Sequence, residues 1–364
     1  MKIFEHTYDG IRPGYPIDNM APLNEILFID IETTGLSREY SDLYLIGCGF
    51  FDDNGYNTVQ WFAASAADEP LIIKEFTAYV REHFSLLIHY NGNRFDVPFL
   101  KAKAHKHGLD DPFDTLSGFD IYSEIKPYKN ILGLPSLRQR CVEELLDIRS
   151  DDPYSGRELI DVYKAYRLRP DDELLSMLLY HNSEDLKGMA YILPVLYYTS
   201  LKDATLEYVS HSLNDFTDYH GNPRQELITE YSHDLDIPKG FISKHDDIML
   251  SMRSDHRAIL RLPLINATLR RFYDNYGDYY YLPYEDCCIH KSAASGVDKS
   301  RRENAKKETC YTKYSGLFIP CLISDPSPVF RESYDSKNLY LPYTESTIVK
   351  VLTETGRELI GHTF

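Results

Sequence analysis

Two carboxylates interrupt an apolar stretch near the start of the sequence. Asp30 and Glu32 lie in FIDIETTGL, residues 28–36, directly after the apolar run at 26–29 that is typical of a buried strand. Residues two apart on a strand point to one face, so the two acids are predicted to lie side by side. Like charges at that range are unfavourable unless a cation, commonly divalent, neutralises them. The alternative interpretation is a surface strand with solvated acids.

A second polar group follows the next predicted buried strand, residues 86–90. Asn91 opens the segment NGNRFDVPFL, and Asp96 precedes a helix predicted over residues 97–107 with a proline in its first turn. Asp96 could be the N-cap of that helix. A cap explains the aspartate but not Asn91 at the tip of the preceding strand.

The third segment is LLYHNSEDLKGM, residues 178–189, whose leucines recur at helical spacing. His181 and Asp185 are four residues apart, so they are predicted to lie one above the other on a single helix face. A simple polar contact between neighbouring turns is the alternative for this pair.

Joined together, the three segments supply a histidine, His181, and four carboxylates, namely Asp30, Glu32, Asp96 and Asp185. Oxygen-rich groups of this kind suit Mg²⁺ or Mn²⁺ and not zinc. Two such ions can activate a water and stabilise the leaving oxygen of a phosphodiester. His181, with an unperturbed pKa of about 6.5, is then the predicted general base.

The three motifs resemble those of the DEDD superfamily of 3′–5′ exonucleases, which share the ribonuclease H-like fold, and within it the YprB-type bacterial branch. The resemblance covers roughly residues 22–200 and rests on three motifs in the expected order. The residues that carry it are Asp30 and Glu32 in the first motif, Asn91, Phe95 and Asp96 in the second, and His181, Asn182 and Asp185 in the third.

The third motif departs from the better-known subclasses of that superfamily. Those have a histidine separated from the aspartate by four residues, or a tyrosine separated by three. Here His181 has three intervening residues and Tyr180 has four. Helical geometry favours His181 as the base, since a residue five positions from Asp185 is rotated well away from it. The departure bears on the identity of the base and not on the metal ligands.

The resemblance implies hydrolysis of phosphodiester bonds from a 3′ end, with two Mg²⁺ or Mn²⁺ ions held by Asp30, Glu32, Asp96 and Asp185. The expected partner is nucleic acid, either DNA or RNA, with a single-stranded 3′ end. The residues expected to contact substrate are Thr33, Thr34, Gly35, Leu36, Asn91, Phe95 and Asn182. Two alternatives stay open: a non-catalytic nucleic-acid-binding or scaffolding protein, and a nuclease for short oligonucleotides.

Composition sets outer bounds on these interpretations. The 364 residues are 43% hydrophobic and 26% charged, which is ordinary for a globular protein. No apolar run approaches the ~20 residues of a membrane span. The first residues lack a signal-peptide core, so we expect a cytoplasmic protein without membrane contact. The net charge of −17 is uneven, with −13 over residues 1–200 but +4 over 251–313.

That basic segment carries six tyrosines within residues 273–284, followed by six bases: Lys291, Lys299, Arg301, Arg302, Lys306 and Lys307. Aromatic and basic side chains together can bind a single strand by stacking and phosphate neutralisation. The competing interpretation, which we favour, is strand tyrosines beside a solvated helix predicted over residues 293–307. The cysteines and His290 of residues 287–321 form a weaker zinc candidate.

The sequence therefore predicts an α/β protein with three parts. Residues 1–22 are an N-terminal extension expected to wrap the outside of the next domain. Residues 23–200 are expected to form the ribonuclease H-like exonuclease domain, a mixed sheet flanked by helices. Residues 205–364 are expected to form a β-rich α+β domain of unknown function.

Overall fold

The computed structural model describes residues 1–149 and 152–363. These residues divide into two compact units. The first unit contains residues 1–130 and 134–199, and the second contains residues 131–133 and those from 200 onward. No helix in the described part of the chain combines the length and the apolar character that crossing a membrane requires.

The first unit is built on a six-stranded mixed sheet, whose strands are β1 (Lys2–Tyr8), β2 (Ile26–Thr33), β3 (Leu43–Asp52), β4 (Gly55–Phe62), β5 (Leu86–His89) and β6 (Ser117–Asp120). The strand order is β1-β4-β3-β2-β5-β6. Strands β1 to β4 pair antiparallel, whereas β5 and β6 continue the sheet from β2 in parallel. The predicted mixed sheet is confirmed, and β3 and β4 form an antiparallel hairpin with Asn54 and Gly55 at its turn.

Helices cover both faces of this sheet. Leu27, Ile29 and Ile31 of β2 pack on one face, in a core that also holds Phe76 and Phe99. The other face packs a second core through residues of β3 and β4. The helices are α1 (Glu69–His83), α2 (Asp96–Lys106), α3 (Ile121–Ile125), α4 (Gln139–Leu145), α5 (Gly156–Leu168) and α6 (Asp172–Tyr191), and a 3₁₀ helix (Leu193–Asp203) follows α6.

The N-terminal extension differs from its prediction. Residues 1–22 were expected to wrap the outside of the domain, but β1 joins the sheet as its edge strand. It pairs with β4 along seven residue pairs, from Lys2 with Phe62 to Tyr8 with Tyr56. Phe4 packs against the second core, so this pairing also partly buries an aromatic side chain.

The second unit is β-rich, as predicted. A seven-stranded antiparallel sheet contains β7 (Glu207–Thr217), β8 (Pro223–Ser232), β9 (Phe241–His245), β10 (Ile248–Met252), β11 (Arg257–Phe272), β15 (Tyr311–Pro320) and β16 (Tyr340–Pro342). A separate three-stranded sheet contains β12 (Tyr279–Leu282), β13 (Cys287–His290) and β14 (Glu303–Asn304). The last helix of the unit is α7 (Ile348–Thr363).

The prediction of a helix over residues 293–307 is wrong. This segment contains two short 3₁₀ turns, Lys291–Gly296 and Lys299–Arg301, followed by β14. The Asp298 carboxylate accepts a hydrogen bond from the backbone N–H of Ser300 at 2.8 Å. Such local side-chain bonds, together with Gly296, compete with a continuous helix.

Candidate metal centre

Strand β2 positions the first two acids. It lies at the centre of the sheet between β3 and β5. Since Leu27, Ile29 and Ile31 face one core, the alternate residues Asp30 and Glu32 point to the opposite face. Pairing with β3 shifts register between Glu32 and Thr33, and the strand ends there. The two acids therefore lie side by side at the end of a buried strand, as the sequence predicted.

Helix α6 packs its polar residues onto the same face. The side-chain amide of Asn182 donates to Asp30 Oδ2 at 2.8 Å, and Gln60 Nε2 donates to Asn182 Oδ1 at 2.7 Å. Gly47 on β3 makes room for this contact, because a Cβ there would lie 2.0 Å from Asn182 Oδ1. Asn182 was predicted to contact substrate, but it is fully buried and both ends of its amide are engaged within the domain.

His181 and Asp185 lie on one face of α6 as predicted. His181 Nε2 is 3.6 Å from Asp185 Oδ2 and 3.5 Å from Glu32 Oε1. Glu32, His181 and Asp185 present ligand atoms that all lie within 4.8 Å of one another, a spacing that could hold a metal ion. Tyr180 is 40% exposed, whereas His181 is buried.

Asp96 is the first residue of α2, and Phe95 occupies the N-cap position without a side-chain cap bond. The N-cap alternative for Asp96 is therefore wrong. Its carboxylate instead lies close enough to the first two acids for its charge to raise the pKa of Asp30 and of Glu32. The charge of Asp185 acts on it as well. The start of α2 thus brings the fourth acid into electrostatic contact with the other three.

The remaining predicted contact residues lie next to these acids in the chain. Thr33 is buried, Thr34 and Gly35 are half-buried, and Leu36 is 86% exposed. Asn91 has a positive φ of 59°, and its backbone N–H donates to Asp120 Oδ1 at 2.8 Å. Phe95 packs against the first core and contacts the ring of Phe99, with centroids 5.3 Å apart.

Burial raises the pKa of all four carboxyl groups, and the charges of neighbouring carboxylates add to the rise. Burial, then the charges of Asp185, Glu32 and Asp96, hold the pKa of Asp30 well above its usual range. Burial raises the pKa of Glu32 to about 8, although His181 opposes it. Burial likewise raises the pKa of Asp96 and of Asp185 to about 6. Among the described residues, His181 pairs with these acids but no lysine or arginine does.

These carboxylates fit a hard divalent cation. Their donor atoms are oxygens, and a bound cation would neutralise the repulsion that raises their pKa values. Zinc is the weaker match for a set dominated by carboxylates. The alternative zinc site was predicted from Cys287, Cys288, His290, Cys310 and Cys321. Among the described residues, the atoms spaced closely enough to hold a metal ion belong to Glu32, His181 and Asp185, so the predicted zinc site does not form.

One residue of the site was missed by the sequence reasoning. Asp152 belongs to the loop before α5, outside the three motifs, and its Oδ2 is hydrogen-bonded to Nδ1 of His181. Burial lowers the pKa of His181, but the charges of Glu32 and Asp185 and the bond to Asp152 together raise it. No spacing rule links residues 152 and 181, because the contact depends on how a loop packs.

The comparison with protein-family models agrees with this architecture. Residues 27–197 match the family model of the RNase_H superfamily, so this part of the chain has an RNase H-like fold. Solved structures that resemble the chain include the family B DNA polymerase of the hyperthermophilic archaeon Pyrobaculum calidifontis, at 17% identity and a TM-score of 0.39. That match covers 48% of this chain and 25% of the polymerase chain. No curated protein matches the sequence.

Proposed function

We propose that this protein is a metal-dependent 3′–5′ exonuclease that hydrolyses phosphodiester bonds in nucleic acid. The observation that carries the proposal is the convergence of Asp30, Glu32, Asp96 and Asp185, buried and of like charge, beside His181. This group lies within the segment that matches the RNase_H superfamily. Perturbed carboxyl groups that converge in this way are typical of functional sites.

The four carboxylates would hold two Mg²⁺ or Mn²⁺ ions. When bound, the ions supply Lewis acidity and neutralise the negative charge of the phosphodiester. The protein's own groups have distinct tasks. Asn182 and Gln60 fix the orientation of Asp30 through their hydrogen bonds. His181 takes the proton of the attacking water at Nε2, the ring nitrogen that faces Glu32 and Asp185.

The proposed substrate contacts follow from the position of the motifs. Thr33 ends β2 next to the acids, and Thr34, Gly35 and Leu36 follow it. Leu36 is 86% exposed, so its side chain is accessible for contact with a nucleotide. Asn91 and Phe95 lie before Asp96 at the start of α2. The 3′ polarity and the single-stranded end rest on the resemblance of these motifs to DEDD exonucleases. We further propose that residues 205–364 position the strand or a protein partner.

The test is a time course with 5′-labelled single-stranded DNA and RNA in Mn²⁺, Mg²⁺ or EDTA. We expect a metal-dependent ladder that shortens from the 3′ end, with the preferred sugar giving the faster ladder. Asp185→Ala should abolish it. Asp172→Ala is the matched control, since it removes an exposed carboxylate from the first turn of the same helix.

Other outcomes select the alternatives. Tight, salt-sensitive binding without cleavage in any metal would favour a nucleic-acid-binding or scaffolding protein. If the protein neither binds nor cleaves the long strands, dinucleotides and short oligonucleotides become the substrates to test. The salt dependence of binding distinguishes a long strand from a short oligonucleotide as the ligand. A long polyanion releases many counterions on binding, so log K falls steeply with log salt, whereas a dinucleotide gives a shallow slope.

A further inference from the structure

We propose that Asp152 is a positioning residue that fixes the tautomer and orientation of His181. This inference rests on the proposed function, in which His181 is the general base. It concerns a residue outside the three motifs, contributed by the loop between α4 and α5.

Both carboxylate oxygens of Asp152 have defined partners. Oδ1 accepts a hydrogen bond from the backbone N–H of Tyr154 at 3.0 Å, and Oδ2 is hydrogen-bonded to Nδ1 of His181. An ionised carboxylate can only accept hydrogen bonds, so Nδ1 must carry the proton. Asp152 is buried, with 8% of its surface exposed, so water competes weakly for this bond.

The other ring nitrogen faces the acids. With the proton on Nδ1, the neutral imidazole has its lone pair on Nε2, which lies 3.5 Å from Glu32 Oε1 and 3.6 Å from Asp185 Oδ2. In the proposed reaction an O–H bond of water breaks as the N–H bond forms at Nε2. The negative charge of Asp152 then stabilises the resulting imidazolium. The opposite tautomer, with its proton on Nε2, cannot accept that proton.

A purely structural role makes a different prediction. In that case Asp152 would only anchor its loop to α6, and a variant that keeps the anchoring would keep the activity. Asp152→Asn separates the two roles. The asparagine Oδ1 can still accept from Tyr154, which leaves the amide Nδ2 against His181 Nδ1. A donor at that position favours the tautomer with the proton on Nε2.

We would measure the kcat and KM of Mn²⁺-dependent cleavage, and the tautomer of His181 by ¹⁵N-edited NMR. The His181 signal is assigned by its absence in His181→Gln. For Asp152→Asn we expect kcat to fall by about 100-fold or more, which is the usual contribution of a positioned general base. KM should change less than about twofold, and the NMR signal should report the Nε2–H tautomer.

Asp161→Asn is the matched control, because Asp161 is an exposed acid on α5 that pairs with Lys164. It should match wild type in both measurements. Wild-type kcat in Asp152→Asn, or a lowered kcat with an unchanged tautomer, would overturn the positioning role. If the wild-type protein cleaves nothing, the proposed function fails, while the NMR comparison still decides whether Asp152 fixes the tautomer.

Discussion

The acid cluster (Asp30, Glu32, Asp96 and Asp185) and the tyrosine sheet (β12, β13 and β14) both contain residues able to do chemistry. They differ in how far opposite charges within the protein compensate the charges of those residues. Arg301 of the second unit pairs with Glu285 at 2.7 Å, and Lys313 pairs with Asp286. The acid cluster collects charges of one sign instead, and its carboxyl pKa values are raised.

The aromatic faces of the tyrosine sheet are also covered. The Arg302 guanidinium lies 4.6 Å from the ring centroid of Tyr280 and donates to the carbonyl of Ala294 at 2.8 Å. Tyr273 and Tyr279 stack on one another with centroids 5.2 Å apart. Bases of an incoming strand would have to displace these contacts before they could stack. The geometry therefore favours internal packing as the role of most of these tyrosines.

The difference shows which polar clusters need an external partner. Charges paired with opposite charges stabilise a fold by themselves, whereas buried like charges destabilise it unless a cation binds. The predictions below test this distinction, first by altering the acid cluster and last by altering the tyrosine sheet.

The largest effect is expected from Asp30→Asn, which keeps the shape of the side chain but removes its charge. Metal-dependent cleavage should fall to the level seen in EDTA, because a metal ligand is lost. The fold should remain intact or become more stable without metal, since one repelling charge is gone. Single-turnover cleavage and thermal unfolding measure the two effects. Asp53→Asn, in the exposed β3–β4 turn, is the control; full activity in Asp30→Asn would refute the site assignment.

The next effect concerns the general base. His181→Gln should lower kcat by about 10²- to 10⁴-fold while Mn²⁺ binding, measured by calorimetry, persists. Tyr180→Phe should stay within about twofold of wild type, because Tyr180 is 40% exposed whereas His181 lies 3.5 Å from Glu32. The reverse pattern would identify Tyr180 as the base and would leave the metal ligands unchanged.

A smaller effect is the pH dependence of stability in EDTA. Folding raises the pKa of Glu32 to about 8 and of Asp96 and Asp185 to about 6. Their protonated forms are thus favoured in the folded state, and this stabilisation is lost as the pH rises from about 4 to about 8. Other groups titrate as well, so the measurement is the change in Tm between pH 5 and pH 8, compared between wild type and Asp30→Asn.

Asp30→Asn should show a smaller fall in Tm than wild type over that range, because one source of repulsion is absent. A 1 kcal/mol difference corresponds to about 2–4 °C for a domain of 150–250 residues. Saturating Mn²⁺ should reduce the fall in wild type by binding the ionised carboxylates. Equal pH dependence in both proteins, with and without Mn²⁺, would contradict the proposed electrostatic origin.

The sequence predicted most of the first unit because its signals are local. The apolar run before Asp30, the Asn-Gly turn at residues 54–55 and the leucine spacing around His181 each specify one element. The edge strand β1 was missed because its pairing joins Lys2 to Phe62, a contact that no local period encodes. Asp152 was missed for the same reason, since its bond to His181 joins a loop to a helix.

The smallest effect is expected from Arg302→Ala, which removes a side chain that packs on the tyrosine sheet. Loss of the contact with Tyr280 should reduce stability by about 0.5–2 kcal/mol, the range of cation–π interactions. If the basic side chains of this segment serve internal packing, the salt dependence of nucleic-acid binding by Arg302→Ala should match that of wild type. It should also match that of Lys350→Ala, a control at an exposed lysine of α7. If they contact a strand, the slope of log K against log salt should fall by about 0.7 for the lost phosphate contact. Chemical unfolding and a salt titration of binding therefore decide whether charges that already have internal partners can also serve a ligand.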